Sequence, residues 1–162
     1  MIAVLRASAA AGALLTLTAC LDPSDRRPGT WLSGEVAAEL PSDWSFTDAH
    51  KEIAIEVATP YFVPHSVTIW CAALDGALYV GARDPDTKRW PAWADADPQV
   101  RLGIDGKVYE VALVPLDEQV DVAELARLRA VYAVKYARPP APADAPPGSI
   151  PPTRYWRVGP RG

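Results

Sequence analysis

Two Asp-Gly dipeptides, Asp75-Gly76 and Asp105-Gly106, constrain this chain more than any other feature in it. Each joins two apolar runs, HSVTIWCAAL to ALYVGARD and QVRLGID to KVYEVALV. A two-residue link between antiparallel strands is best made by a type I′ turn, whose central residues both need positive φ. Asp tolerates that conformation and Gly adopts it freely. The dipeptides therefore predict two tight β-hairpins. The segment between them, DTKRWPAWADADP, loses the strand alternation and predicts a short middle helix.

Ahead of the hairpins, Ile53, Ile55 and Val57 alternate with Ala54 and Glu56, which predicts a half-buried strand closed by Pro60 and Pro64. An earlier strand is expected over residues 31–39, followed by a turn from which Trp44 and Phe46 point back toward a core. After the hairpins the period changes. Val122, Leu125, Leu128, Tyr132 and Tyr136 fall at three- and four-residue steps, which predicts an amphipathic helix over 121–136. Asp121 with Glu124 can cap its start, and Arg127, Arg129, Lys135 and Arg138 suit its end. Residues 139–152 hold too many prolines for helix or sheet interior and read as an extended connector. TRYWRV then recovers strand character as a closing strand.

The N-terminal 19 residues carry one charge, Arg6, and an apolar run too short for a permanent bilayer span, the geometry of an export signal. The run ends in Leu17-Thr18-Ala19-Cys20, which resembles the lipobox of bacterial lipoproteins. That resemblance implies removal of residues 1–19, acylation of Cys20 and anchoring of the chain to membrane lipid in the cell envelope. Leu21 rather than Asp after the Cys favours the outer membrane where the host has one. Residues 20–30 then form a tether, and 31–162 make one domain. The net charge of −4 becomes one unit more acidic once Arg6 is lost, so nucleic acid is not an expected partner. With Cys20 acylated, Cys71 is the one remaining thiol and no internal disulfide can form. Set in the most apolar strand, Cys71 reads as a small buried hydrophobe.

These elements add up to a mainly β protein with flanking helices, a β-barrel of six to seven mostly antiparallel strands with one long late helix and one short middle helix; the resemblance that follows implies a split β-barrel. VTIWCAALDGALYVGA, TKRWPAWADADPQVRL, IDGKVYEV, VYAVKYA and the terminal YWRV follow one another in an order that resembles the flavin-binding split-barrel superfamily, which includes pyridoxamine-phosphate-oxidase-like proteins and deazaflavin-dependent reductases. In that family FMN or a deazaflavin lies in a groove commonly completed by a second subunit. The resemblance implies a homodimer, with Tyr155 and Trp156 of the aromatic type found in interface cores. It further implies that Tyr79, Gly81, Ala82 and Arg83 line the ring of the cofactor, and that Thr87, Lys88 and Arg89, just before Trp90, meet its phosphate.

A small residue at 81 admits a flat ring, and a hydroxyl with two cations supplies charge-assisted donors. Lys88 and Arg89 also fit a solvated turn, and Trp90 and Trp93 either stack on a ring or pin the short helix to the barrel. The chain departs from the family pattern at Trp93, where Asn is usual, and at Ala92, where a basic residue is often found. No spacing in the sequence identifies a reaction. Three readings stay open: a tethered flavin or deazaflavin oxidoreductase, a module holding a planar ligand without turnover, and a barrel with an empty groove serving interaction or envelope structure.

Overall fold

The structure is a computed structural model and describes residues 29–137 and 151–162. The lipobox with Cys20, the signal segment and most of the Pro-rich connector lie outside the described residues. Among the described residues seven strands are present: β1 (Glu35–Val36), β2 (Glu52–Val57), β3 (His65–Leu74), β4 (Ala77–Arg83), β5 (Gln99–Ile104), β6 (Lys107–Pro115) and β7 (Thr153–Gly159). Two α-helices accompany them, α1 (Trp90–Ala96) and α2 (Val122–Lys135), with short 3₁₀ turns at Ser45–Ala49 and Pro85–Thr87. Six strands close into an antiparallel barrel in the order β6-β5-β2-β3-β4-β7, with β6 pairing back onto β7. β1 is an extra strand that runs parallel to the start of β6.

Both hairpins form in the expected register, Leu74 opposite Ala77 and Ile104 opposite Lys107. Their turn residues take the left-handed conformation the turn type demands: φ is 52° and 79° at Asp75 and Gly76, and 51° and 74° at Asp105 and Gly106. The closing strand also forms. Tyr155 of β7 lies opposite Gly81 of β4, while Val158 lies opposite Leu113 of β6, so this one strand seals the barrel on two sides. Inside the barrel, side chains from every other position meet: Ile53, Ile55 and Val57 from β2, Ile69 and Cys71 from β3, Leu78 and Val80 from β4, Leu102 from β5, Val111 from β6 and Trp156 from β7. Cys71 is fully buried in this core, and burial pushes its thiol up against a smaller downward pull from Lys135 Nζ, 3.7 Å away.

Outward-facing positions are covered too, which the alternation alone did not reveal. β2 was expected to be half-buried, yet Ala54 and Glu56 are as enclosed as their inward neighbours. The cause is the N-terminal segment, expected to be a strand over 31–39. It is instead a strap with only two residues of regular pairing, and it crosses the outside of the barrel. Gly29 exchanges two backbone hydrogen bonds of 2.9 Å with Ser66, and Leu32 packs with Ala54 and Val108. The Leu32 amide donates to the Glu56 carboxylate, which also accepts from Arg101 Nη1 at 3.0 and 3.1 Å. Gly34, with φ of 148°, passes so close that a Cβ there would be driven onto the Gly106 carbonyl oxygen, so the strap is irregular where a strand was expected.

α2 covers the opposite outer face. Leu125, Leu128 and Tyr132 pack on Ala72, Tyr79, Leu116 and Tyr155. The expected cap does not form: Asp121 accepts from the Asp117 amide at 2.8 Å, and Glu124 is held by Tyr79 and Arg157. Tyr155 and Trp156, expected at a subunit interface, are buried within the single chain, so self-association would need another surface.

Glu56 holds the strap and the sheet together through one carboxylate. Its replacement by Ala leaves Arg101 without its main partner and the Leu32 amide unsatisfied. A fully enclosed ion pair that loses one member costs about 3–5 kcal/mol, and Arg101 keeps some access to water, so Glu56→Ala is expected to cost about 2 kcal/mol or more in chemical denaturation. A cost near zero would show that the strap is not coupled to the barrel.

Candidate functional site

Pairing between β3 and β4 starts at the Asp75-Gly76 turn and ends at Trp70 opposite Gly81. Beyond that rung the strands part. β4 continues along β7, with Ala82 opposite Arg154 and Arg83 opposite Thr153, while β3 continues along β2 from Ile69 opposite Ile53 to His65 opposite Val57. The gap is filled by the segment that leaves β4: the 3₁₀ turn at Pro85–Thr87 and then α1. Pro91 in the first turn suits a helix start, since its missing N–H is one that no helix would use there. Trp90 drives into the barrel core, 5.1 Å from the ring of Trp156, and Trp93 lies half-buried over the edge of β3.

A cleft of about 380 Å³ opens along this seam, lined by Tyr61, His65, Val67, Thr68, Lys88, Arg89, Trp90 and Trp93. That is near the lower end of small-molecule sites, which run from about 300 to 1,000 Å³. Trp93 is its centrepiece. Tyr61 meets the indole edge-on at 5.9 Å and His65 does so at 5.4 Å. The Thr68 hydroxyl is shut off from solvent and has no hydrogen-bond partner, an unusual state for a buried polar atom. The two cations differ in how free they are. Lys88 Nζ donates to the Arg83 carbonyl, whereas the Arg89 side chain is exposed and makes no hydrogen bond or ion pair among the described residues.

Of the eight residues assigned to a cofactor by resemblance, the seam gathers Lys88, Arg89 and Trp90. Thr87 closes its own turn, its hydroxyl donating to the Asp84 carbonyl at 2.7 Å. Tyr79, Gly81, Ala82 and Arg83 do not share a surface. Ala82 belongs to the barrel interior and Arg83 to solvent, while Tyr79 and Gly81 lie on the outer face of β4 where α2 and β7 pack. A Cβ at Gly81 would stand 3.1 Å from the Tyr155 ring and 3.4 Å from the Tyr132 hydroxyl, so the missing side chain makes room for the protein's own aromatic residues. Tyr61, His65, Val67, Thr68 and Trp93 complete the cleft. The first four come from the loop before β3 and from the half of β3 that the splay uncovers, so nothing in hairpin pairing pointed to them.

On the outer face, Tyr79 donates to Glu124 Oε1 at 2.6 Å, and Arg157 grips the same carboxylate at 2.8 and 3.0 Å. A further groove passes over this cluster, lined also by Asp75, Ala123 and Arg127. Burial first, then the bond to Glu124 and its charge, pushes the Tyr79 hydroxyl up to about 12.

The chain matches no family profile and no curated protein. Among solved structures, a chain described as an F420 reductase is similar to it at 19% identity, with a TM-score of 0.45, over 76% of this chain and 97% of that one. At that distance the likeness assigns neither a cofactor nor a reaction to this protein.

The Tyr79 cluster gives a pH dependence of stability. The folded-state value lies above the ordinary tyrosine value near 10, so the contribution is complete below pH 10 and is lost as pH rises toward 12. Wild-type stability should fall across that window, and Tyr79→Phe should fall less steeply, measured by denaturation at fixed pH values. Equal slopes for the two would mean that Tyr79 titrates as a free phenol.

Proposed function

We propose that this chain is an exported envelope lipoprotein, anchored through an acylated Cys20, whose barrel holds a flavin or deazaflavin in the seam cleft and acts as an oxidoreductase. One observation carries the cofactor part. The seam places an unpartnered guanidinium, Arg89, beside an aromatic wall of Tyr61, His65, Trp90 and Trp93, over a buried hydroxyl with no partner, Thr68. Such a site suits a planar ligand with an anionic tail. Arg89 would hold the anion, Trp93 and Tyr61 would flank the ring and keep water off it, and Thr68 would offer its hydroxyl to a polar edge of the ring. A bound flavin would supply hydride chemistry, which asks no acid or base of the protein.

A second reading draws on other observations. Lys88 and Thr87 are turned onto backbone carbonyls, and Trp93 occupies much of the gap between β3 and β4. In this reading the seam is closed for good by its own tryptophans, and the barrel serves interaction or envelope structure.

Flavin mononucleotide, riboflavin and a deazaflavin titrated into the protein, followed by ligand fluorescence, separate the two. Under the first reading wild type binds the phosphorylated ligand better than riboflavin. Arg89→Ala then weakens binding by about tenfold or more, the equivalent of one charge-assisted hydrogen bond of roughly 1.5–3 kcal/mol, and Lys88→Ala has the smaller effect. Wild type that binds none of the three supports the closed seam. The anchor is tested separately by cell fractionation: Cys20→Ser should leave the membrane fraction, and retention equal to wild type would refute lipidation.

A further inference from the structure

The loop between β2 and β3 carries three large apolar side chains in a row, Tyr61, Phe62 and Val63, all exposed. Phe62 is 95% exposed, so it gains almost no burial among the described residues, and its φ is 63°, in the left-handed region that a non-glycine residue adopts only at a cost. The turn is nevertheless fixed. The Phe62 amide donates to the Thr59 carbonyl at 3.2 Å, and the Thr59 hydroxyl donates to the Val63 carbonyl at 2.7 Å, which holds the Phe62 ring outward. The strained backbone presents an unburied aromatic ring that packs on nothing among the described residues, which points to a contact outside them.

We propose that this loop inserts Phe62 into the surface of a lipid bilayer, so that the seam end of the barrel faces the membrane. The proposal rests on the anchor at Cys20 proposed above, and two observations select a bilayer over a protein partner. The first is where the strap begins. Gly29 pairs with Ser66, one residue into β3 from the loop, so the chain enters the domain at the loop end. Gly29 lies nine positions after Cys20, and even fully extended that stretch reaches about 30 Å. A lipid on Cys20 therefore keeps the Gly29–Ser66 pair, from which β3 leads back to the loop, within that distance of the headgroups. Trp31, half-exposed, emerges at the same level, between Gly29 and the Leu32 amide held by Glu56, and tryptophan favours the membrane interface.

The second observation is area. Two aromatic side chains and a valine at a convex tip offer a few hundred Å² at most, each aromatic burying about 150–250 Å², far below the roughly 800 Å² that each partner gives to a stable protein interface. A bilayer sets no such minimum. Charge does not select between them. Lys88 and Arg89 share the cleft with Tyr61 on this rim, with Asp86 exposed two residues earlier, so charge adds little and the apolar tip carries the insertion.

The test uses the full chain, purified with its native N-terminal processing and reconstituted into vesicles of phosphatidylethanolamine and phosphatidylglycerol. Phe62→Cys is labelled with a nitrobenzoxadiazole dye, Cys71 being too buried to react. Lys107→Cys, exposed beside Gly106 at the opposite end of the barrel, carries the same dye as reference. The dye at position 62 should shift to the blue and be quenched by nitroxide-labelled lipid, while the dye at 107 keeps its aqueous spectrum. An aqueous spectrum at both positions on vesicles that retain the chain overturns the insertion and leaves the anchor standing. Mass spectrometry of Cys20 reads the anchor independently. If Cys20 is unmodified the anchor falls, and the same two dyes on chains that also carry Cys20→Ser, so that the introduced thiol alone is labelled, still decide with added vesicles whether the loop inserts.

Discussion

The parting of β3 from β4 beyond Trp70 and Gly81 is the constraint on which the rest of the site depends. A strand edge exposes backbone donors and acceptors that must be paired or covered. Here β4 finds β7 and β3 keeps β2, and the wedge left between them has to be filled by side chains rather than by another strand. α1 does this with two tryptophans of different fate. Trp90 joins the core against Trp156, while Trp93 stops at the edge of β3 and forms the wall of the cleft. The cleft is thus a by-product of barrel geometry, and its chemistry comes from whichever residues the wedge brings to its rim.

The barrel is also buried from outside, and this shapes its energetics. The strap seals β2 and β5 through Leu32 and the Glu56–Arg101 pair, and α2 seals β3, β4 and β7. α2 and the residue after it bring tyrosines as well as leucines to the sheet. Tyr136 stacks on Trp70 at 4.4 Å, and its hydroxyl accepts from the Cys71 amide at 3.0 Å; the Tyr132 hydroxyl lies 3.3 Å from the carbonyls of both Trp70 and Tyr79. The last rung before the splay is therefore clamped by phenol groups, and Gly81 is the residue that leaves room for them.

Much of this was readable in the residues. The two Asp-Gly turns, the change of period at Val122 and the return of strand character in TRYWRV are local signals, and the corresponding elements formed where expected. The strap was not readable because its cause is tertiary: Gly34 lies against the backbone of Gly106, far away in sequence, and no alternation encodes that approach. The site was half-readable for the same reason. Lys88, Arg89 and Trp90 follow a strand directly and invited attention, but Tyr61, His65 and Thr68 reach them only because the splay uncovers β3. A usable signal did exist in the run YFV between Pro60 and Pro64, three large apolar residues where a connecting loop would ordinarily be polar.

The way the barrel is sealed also sets the order in which it can be completed. β7 follows β6 by some forty residues and contacts both β4 and β6, so until residues 153–159 are available the barrel is an open ribbon, with the β4 edge and the far half of the β6 edge bare and Trp156 absent from its centre. Contacts so distant along the chain form late and slowly. During synthesis from the N-terminus the domain therefore cannot lock into its native state early, and β7 acts as a latch that closes only when residues 153–159 are available.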